Sequence, residues 1–254
     1  MKQELLFYKQ KQKIYGHLWL PEGKGPFPCV IICHGFGANL SDHEYYAEVF
    51  SGNGIAAYCF DFIGGGEEIQ SDGKMTEMSV LSEADDLDCV IDGIRELDMI
   101  DQNNIFLMGG SQGGYVITYT ASRRPHDIRG LIPLYPAYVI YDFVKKLIGD
   151  TVKIPETFRC LGCTVSSLYA SDAFAVDIYS HMDFPGPVLI IHGTADSLVP
   201  LSYSEKAVKV FPHAKLVTIE GADHGFYDED EIFVANISCD FVKAVISDRE
   251  KGIG

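Results

Sequence analysis

A serine set among glycines is the residue of this chain best suited to nucleophilic chemistry. Ser111 lies in the segment GGSQG, residues 109–113, which has the G-x-S-x-G spacing. A sharp turn from a strand into a helix crowds its neighbours, so small residues are needed two positions to either side of the serine. Apolar runs at 105–108 and 115–119 flank the segment and predict a buried strand followed by a helix. The alternative is a glycine-rich turn with an incidental serine.

Two further residues could activate this serine. A serine hydroxyl needs a base, and the base needs a group that orients it. Reactive groups in parallel α/β sheets gather beyond the C-terminal ends of the strands. Asp196 follows the apolar run 188–192, and His224 follows the apolar run 216–219. We therefore predict Ser111 as nucleophile, His224 as base and Asp196 as the residue that orients the base.

Acyl transfer also builds negative charge on a carbonyl oxygen. Each N–H donor fixed in advance at that oxygen contributes about 3 kcal/mol. We expect one donor to be the backbone N–H of Gln112, directly after the nucleophile. We expect the second to be the N–H of Phe36, in the loop HGFG at residues 34–37. A nucleotide site is a poor alternative, because that loop lacks G-x-G-x-x-G and no Walker lysine follows it.

The elements that must position these groups alternate along the chain. Residues 4–8 and 14–20 predict an opening hairpin. From about residue 27, strands and helices alternate, which predicts one domain over residues 1–254 with a mostly parallel sheet and helices on both faces. Residues 136–184 interrupt the alternation and predict an insert above the sheet that acts as a lid. The alternative is a helical excursion with no role in substrate binding.

Bulk properties narrow the function classes. The net charge of −16 argues against a nucleic-acid or anionic-membrane partner. Seven scattered cysteines, several of them in apolar segments, suggest a reducing compartment, and no apolar run is long enough to span a membrane. We expect a cytoplasmic enzyme with a small-molecule ester as its partner and neither metal nor cofactor, and we leave a homodimer open. The C-x-x-C at 160–163 has no second pair at zinc spacing.

Several other polar residues have structural explanations. The acids of the amphipathic segment 79–97, which include Glu83 and Asp86, predict a solvated helix face. His192 precedes a glycine at the end of a strand, where a tight turn is the expected requirement. His34 is expected to brace its loop.

Six segments together resemble an α/β hydrolase, and within that superfamily the compact bacterial feruloyl (cinnamoyl) esterases. They are HGFG at 34–37, FDF at 60–62, MTEMSV at 75–80, GSQGG at 110–114, HGTAD at 192–196 and EGADH at 220–224. The resemblance implies an α/β-hydrolase fold and the same site: Ser111, Asp196 and His224 as the triad, with Phe36 and Gln112 forming the oxyanion hole. It also implies an insert that holds a tyrosine and an aspartate near the ring hydroxyls of the substrate. Tyr169 and, more loosely, Asp142 match these two positions.

Two departures weaken the hydroxycinnamoyl assignment. The chain has GGG at 64–66 where those esterases often have G-H-G, and Gly109-Gly110 is a form common in peptidase-like and acetyl-esterase hydrolases. The expected function is ester hydrolysis through an acyl-enzyme, on small aromatic or short acyl esters. The alternatives are a peptidase or acylaminoacyl hydrolase and a non-catalytic ligand-binding member of the fold.

Overall fold

A largely parallel eight-stranded sheet carries the molecule. The computed structural model describes residues 1–149 and 153–250, with side chains as far as 247. The strand order in the sheet is β1-β2-β4-β3-β5-β6-β9-β10, and only the pairs β1–β2 and β2–β4 are antiparallel. The ten strands of the described ranges are β1 (Lys2–Lys9), β2 (Gln12–Trp19), β3 (Phe27–Cys33), β4 (Ala56–Phe60), β5 (Ile100–Gly110), β6 (Gly130–Leu134), β7 (Thr157–Cys160), β8 (Cys163–Ser166), β9 (Val188–Gly193) and β10 (Ala214–Ile219).

Helices cover both faces of this sheet. Alternate residues of β3 show the two faces, because Ile31 belongs to one core cluster and its neighbours Val30 and Ile32 belong to the other. Helices α2, α3 and α6 pack in the first cluster, and α1 and α7 pack in the second. The α-helices within the described residues are α1 (Glu44–Gly52), α2 (Val80–Arg95), α3 (Gln112–Arg123), α4 (Ile140–Ile148), α5 (Ser167–Ala175), α6 (Ser202–Val210) and α7 (Asp228–Glu250). The predicted fold class is confirmed.

The insert between β6 and β9 contains helices α4 and α5, the hairpin β7–β8 and a short 3₁₀ helix, Ile178–His181. The hairpin turns through Leu161 and Gly162, both with positive φ (46° and 90°), so the two cysteines of the C-x-x-C pair directly across it. Such a turn favours glycine and matches the twist of a tight hairpin. Residues 150–152 of the insert and residues 251–254 of the predicted domain lie outside the described residues.

The prediction that the acids of α2 form a solvated face is wrong for two of them. Glu83 and Asp86 are fully buried. Ile63 N–H donates to Asp86 Oδ2 at 2.8 Å, and Lys9 forms an ion pair with the same carboxylate. Glu83 lies three residues after Val80, in register with the apolar stripe, so helical spacing alone places it on the buried side. The acids further round the helix do face outward, where Asp88 pairs with Arg123.

None of the helices in the described ranges combines the length and the apolar character that crossing a bilayer requires.

Candidate active site

Ser111 occupies the abrupt turn between β5 and α3. Its backbone has φ 52° and ψ −115°, a conformation that L-residues rarely adopt and that costs on the order of 1–3 kcal/mol. A Cβ placed on Gly109 would lie 2.5 Å from the backbone carbonyl carbon of Gly113. The backbone is packed so closely here that neither Gly109 nor Gly113 has room for a side chain. Ser111 N–H donates to Leu134 O at 3.0 Å, which fixes the turn to the neighbouring strand. The result is a tight turn from strand to helix that presents the hydroxyl above the sheet, the geometry expected of a nucleophile elbow.

The structure brings the three predicted triad side chains together in one line. His224 Nε2 lies 2.9 Å from Ser111 Oγ, and His224 Nδ1 lies 2.7 Å from Asp196 Oδ2. A carboxylate only accepts hydrogen bonds, so Nδ1 carries the proton and Nε2 is free to accept from the serine hydroxyl. The ring of Tyr135 packs edge-on against the imidazole, with ring centroids 4.8 Å apart. Each residue follows a different strand: β5, β9 and β10.

Asp196 is held ionised by its hydrogen bonds. Its side chain is fully buried, and Leu198 and Val199 donate their backbone N–H groups to Oδ1 at 2.9 and 2.7 Å. Burial by itself raises the pKa of Asp196, but the hydrogen bonds from His192, His224 and Val199 outweigh it and leave the pKa below its ordinary value. A group with this environment stays anionic at neutral pH and keeps His224 in the required tautomer.

Sequence reasoning missed the contact that His192 makes with this carboxylate. We expected His192 to serve a tight turn, but its Nε2 lies 3.1 Å from Asp196 Oδ2. The residue is fully buried and also contacts Ser204 Oγ through Nδ1 at 2.7 Å. The signal available in the sequence is the spacing of four residues between His192 and Asp196 across a strand end.

The two predicted oxyanion donors border the nucleophile. Gln112 is the first residue of α3, so its N–H belongs to the turn of the helix that has no carbonyl partner within the helix. The loop of Phe36 passes beside Ser111, since a Cβ on Gly35 would lie 3.3 Å from Ser111 Cβ. His34 braces this loop: its Nδ1 donates to Gly35 O at 2.7 Å and its Nε2 accepts from a backbone N–H at 3.1 Å. Burial lowers the pKa of His34, which agrees with this neutral tautomer.

Tyr169 reaches the site from the insert. It is buried, and its hydroxyl donates to the side-chain oxygen of Gln112 at 2.7 Å. Its ring packs edge-on against Phe36, with centroids 5.4 Å apart. Gln112 Nε2 in turn donates to Glu83 Oε2 at 2.8 Å. Tyr169 therefore contacts both residues that were predicted to supply oxyanion donors.

Two cavities open on Ser111. The first, here called the apolar pocket, has a volume of about 30 Å³ and lies beneath the insert. The second, here called the polar cleft, has a volume of about 430 Å³ and lies on the His224 side. The apolar pocket is lined by Phe36, Ser111, Gln112, Ala137, Val139, Ile140, Phe143, Cys160, Leu161, Tyr169, Leu198 and Val199. Around the polar cleft, the polar and aromatic side chains include Asp42, His43, Tyr46, Tyr135, Phe226, Tyr227 and Glu231.

The structure does not place Asp142 in either of these cavities. Asp142 lines a separate cavity of about 600 Å³ on the other side of α4, where Tyr203 Oη donates to it at 2.7 Å. Val139, Ile140 and Phe143 line the apolar pocket, whereas Tyr141 and Asp142 line the separate cavity. Of the two family matches in the insert, Tyr169 thus shares the apolar pocket with Ser111, and Asp142 lines a different cavity; a substrate-binding role for either residue stays a prediction.

The described ranges hold no group of three or more His, Cys, Asp or Glu side chains arranged to bind a metal ion.

Two known protein families match consecutive parts of the chain. Residues 24–158 match the family described as serine aminopeptidase, S33, and residues 159–242 match the family described as TAP-like protein. The first match includes the elbow, and the second includes the positions of Asp196 and His224.

Three individual proteins are similar to this chain in structure or in sequence. The structure of ferulic acid bound to Est1E from Butyrivibrio proteoclasticus has a TM-score of 0.87 and 27% identity, and the alignment covers 96% of this chain and 99% of Est1E. Human monoglyceride lipase is 25% identical over 177 residues, 66% of this chain and 55% of the lipase. The uncharacterized protein YfhR of Salmonella typhimurium is 28% identical over 206 residues, 77% of this chain and 63% of YfhR. The chain thus spans less than two thirds of the length of these two curated relatives.

Proposed function

Because the chain belongs to the α/β-hydrolase family described as serine aminopeptidase, S33, we propose that it hydrolyses carboxylic esters through an acyl-enzyme on Ser111. The chain is an α/β-fold serine hydrolase of esterase- or lipase-like type. The observation that supports the specific proposal is the line of hydrogen bonds from Ser111 through His224 to Asp196, set at the junction of two cavities.

The proposed reaction has two halves. Ser111 Oγ attacks the ester carbonyl carbon while His224 Nε2 takes the hydroxyl proton. The backbone N–H groups of Phe36 and Gln112 stabilise the resulting oxyanion. The carbon–oxygen bond to the alcohol then breaks, and His224 returns the proton to the departing oxygen. In the second half, His224 takes a proton from water, the hydroxide attacks the acyl-enzyme, and the acid leaves as Ser111 regains its proton.

The two cavities suggest how an ester divides across the site. We propose that the apolar pocket holds the acyl group, because its lining is almost entirely hydrophobic. Its volume of about 30 Å³ is two to three times the minimum of about 10–15 Å³ that a single water needs on the same measure, so it suits a short acyl chain. A hydroxycinnamoyl group, which the similarity to Est1E with ferulic acid supports, requires the insert to move outward. We therefore propose that the insert, residues 136–184, acts as a lid.

The polar cleft suits the alcohol portion. Its lining contains the carboxylates of Asp42 and Glu231, and no Lys or Arg is among the described residues around it. Burial lowers the pKa of His43 to about 4, so this lining histidine adds no positive charge at neutral pH. A neutral or cationic alcohol is therefore preferred over an anionic one.

A panel of esters tests the acyl assignment. We expect p-nitrophenyl acetate and butyrate to be cleaved faster than long-chain esters, and methyl ferulate to be cleaved only if the insert opens. Phe143→Ala enlarges the apolar pocket and is expected to shift the preference toward methyl ferulate and longer chains. Tyr141→Ala, on the opposite side of α4, is the matched control, because Tyr141 lines the separate cavity. Equal shifts in both variants would contradict the assignment.

The nucleophile itself is tested by Ser111→Ala. We expect the variant to lose hydrolysis of p-nitrophenyl acetate by at least about 10³-fold and to lose labelling by a fluorophosphonate probe. Residual activity near that of the wild type would overturn the nucleophile. A folded wild-type protein that the probe does not label would instead support a non-catalytic ligand-binding protein.

A second candidate function is aminopeptidase or acylaminoacyl hydrolysis. The family description favours it, and the two carboxylates of the polar cleft could bind an α-ammonium group. The rates on an alanine p-nitroanilide and on p-nitrophenyl acetate separate the two functions. A higher kcat/KM on the anilide would make the peptidase the better assignment.

A further inference from the structure

A carboxyl group lies buried behind the proposed oxyanion hole and takes no part in the mechanism above. Glu83 is completely buried on α2. Its Oε2 accepts a hydrogen bond from Gln112 Nε2 at 2.8 Å, while its Oε1 has no hydrogen-bond partner among the described residues. Burying a carboxyl group with one contact is costly, and in this molecule that single contact is to the residue next to the nucleophile.

The surroundings of Glu83 keep it uncharged. Burial raises its pKa well above the ordinary value; the hydrogen bond from Gln112 opposes this, and the neighbouring carboxylate of Asp86 adds to it. Among the described residues, Cys33 and Tyr169 are titratable groups that also interact with Glu83, and burial raises the pKa of both. Lys9, the cation of this region, pairs with Asp86 instead. A neutral acid at Glu83 still offers the oxygen that Gln112 requires.

The other end of the Gln112 amide is held as well. Tyr169 donates its hydroxyl to Gln112 Oε1 at 2.7 Å, and Met78 Sδ lies 3.6 Å from Gln112 Nε2. The insert helix α5 that carries Tyr169 is itself fixed to the start of α2, where Ser79 donates to Asp172 at 2.5 Å. The Gln112 side chain is therefore clamped between α2 and the insert.

We propose that Glu83 is a positioning residue that, together with Tyr169, holds the Gln112 side chain and so fixes the Gln112 backbone N–H where the oxyanion forms. The proposal rests on the proposed function, because it assigns Gln112 N–H to the oxyanion. The group that acts is the carboxyl oxygen Oε2, which serves as a fixed hydrogen-bond acceptor. Through Tyr169, the same clamp couples the oxyanion hole to the position of the insert.

Such a role has a kinetic signature. An oxyanion donor acts in the transition state and not on the bound ester, so its displacement lowers kcat and leaves KM almost unchanged. Complete loss of one donor lowers kcat by about 10²–10³-fold. Loosening the Gln112 clamp displaces the N–H without removing it, and we expect a decrease of roughly tenfold.

The experiment compares Glu83→Gln with Glu83→Leu on p-nitrophenyl acetate. The glutamine keeps a neutral acceptor oxygen at the same reach, and we expect kcat within about threefold of the wild type. The leucine removes the acceptor, and we expect kcat to fall roughly tenfold at constant KM. Tyr169→Phe releases the other end of the amide and should lower kcat in the same direction. Binding of a trifluoromethyl ketone, which forms an oxyanion adduct, should weaken in parallel with kcat/KM.

Asp86→Asn is the matched control. Asp86 is an equally buried acid one turn along α2, but it contacts Ile63 N–H and Lys9 and does not touch Gln112. We expect this variant to lose stability while it keeps kcat. An unchanged kcat in Glu83→Leu, or a loss in Glu83→Gln as large as that in Glu83→Leu, would overturn the proposal. If Glu83→Leu does not fold, Tyr169→Phe and Glu83→Gln decide the question. Failure of the proposed function looks different, because wild-type protein would then turn over none of the esters.

Discussion

His192 Nε2 lies 3.1 Å from Asp196 Oδ2, the same oxygen that accepts from His224. The Val199 carbonyl oxygen lies 3.0 Å from that nitrogen, so two acceptors surround it and Nε2 must carry the proton. Nδ1 shares a hydrogen bond with the Ser204 hydroxyl at 2.7 Å. His192 is thus a donor that completes the hydrogen bonding of the carboxylate from behind the proposed triad.

Removing this donor should affect stability and activity together. We expect His192→Ala to lower the free energy of unfolding by roughly 2–4 kcal/mol, because it leaves both a cavity and a buried carboxylate with one donor fewer. We expect kcat on p-nitrophenyl acetate to fall several-fold, since Asp196 is less firmly placed. Ser204→Ala is the milder companion, expected to cost about 1 kcal/mol. Urea unfolding and steady-state kinetics measure both effects. A His192→Ala variant as stable and active as the wild type would show that the contact is incidental.

The same contact has a consequence at acid pH. Asp196 has a lowered pKa in the folded protein, so it contributes stability that is complete above the unfolded-state pKa of about 3.9 and is lost as pH falls toward the folded-state pKa. Without His192 the folded-state pKa rises, and less of that stability remains. We expect the midpoint of acid unfolding of His192→Ala, followed by circular dichroism, to lie at higher pH than that of the wild type. A midpoint shifted to lower pH would contradict the assigned sign.

Glu83 should produce the opposite pH dependence. Its pKa is raised in the folded protein, so above an unfolded-state pKa of about 4.3 the unfolded chain releases a proton that the folded chain keeps. Stability therefore falls as pH rises, by up to about 1.4 kcal/mol per pH unit. Glu83→Gln removes this loss, so its stability relative to the wild type should increase with pH when urea unfolding is measured from pH 5 to 8.

Asp86→Asn provides the contrast for that measurement. Burial raises the pKa of Asp86 only to about 6, against the opposing effect of Lys9. We expect the difference in the free energy of unfolding between this variant and the wild type to change up to about pH 6 and then level off. Identical curves for the two variants would show that neither carboxyl group titrates as its surroundings indicate.

The elbow glycine Gly109 should tolerate no side chain. Gly109→Ala places a Cβ 2.5 Å from the backbone of Gly113, and we expect a loss of about 3 kcal/mol in the free energy of unfolding and a large loss of activity. Gly52→Ala is the matched control, because Gly52 ends α1 with no atom near its Cβ position and an alanine there should be neutral or slightly stabilising. Thermal unfolding of the two variants compares them directly. Equal melting temperatures would show that the elbow can widen.

The polar cleft should select for the charge of the alcohol. Acetylcholine, 3,3-dimethylbutyl acetate and 2-sulfoethyl acetate share a short acyl group and differ in the charge of the alcohol. We expect kcat/KM to decrease in that order, with steps of roughly three- to tenfold from the carboxylates of Asp42 and Glu231. Glu231→Gln should reduce these differences in kcat/KM between the esters and leave kcat/KM on the neutral ester unaffected. The rates are measured by titrating the released acid in a pH-stat. If the anionic ester reacts fastest, the alcohol portion does not bind in the polar cleft.

Much of the fold could be predicted from the sequence, because local patterns of apolar residues indicate its strands and helices. Strand β3 at Phe27–Cys33 begins where the predicted alternation begins, and the opening hairpin and the alternation of strands and helices are confirmed. Bounds shifted where the pattern was mixed: a 3₁₀ helix at Leu40–His43 precedes α1, and β5 begins at Ile100 within a polar stretch.

The residues whose surroundings were predicted wrongly have a different explanation. Glu83 was assigned to solvent by its charge, and His192 was assigned to a turn by its glycine neighbour. Both are buried beside a partner that satisfies them: Gln112, from a distant part of the chain, for Glu83, and Asp196, four residues away across the strand end, for His192. Asp142 was matched by its position in the insert, and it lines a different cavity from the one that Tyr169 shares with Ser111. Residue type and spacing cannot reveal a partner such as Gln112, which meets Glu83 only through the tertiary packing of distant segments.

The sequence by itself determined the elbow around Ser111, the order of Ser111, Asp196 and His224, and the α/β class, because glycine spacing and apolar periodicity are local properties of the chain. Only the tertiary structure decided which polar groups meet. It joined the three side chains through β5, β9 and β10, buried Glu83 behind Gln112, and brought Tyr169 rather than Asp142 to the nucleophile. The physical reason is that a buried polar group is stable only beside a partner, and the packing of distant elements sets where that partner lies.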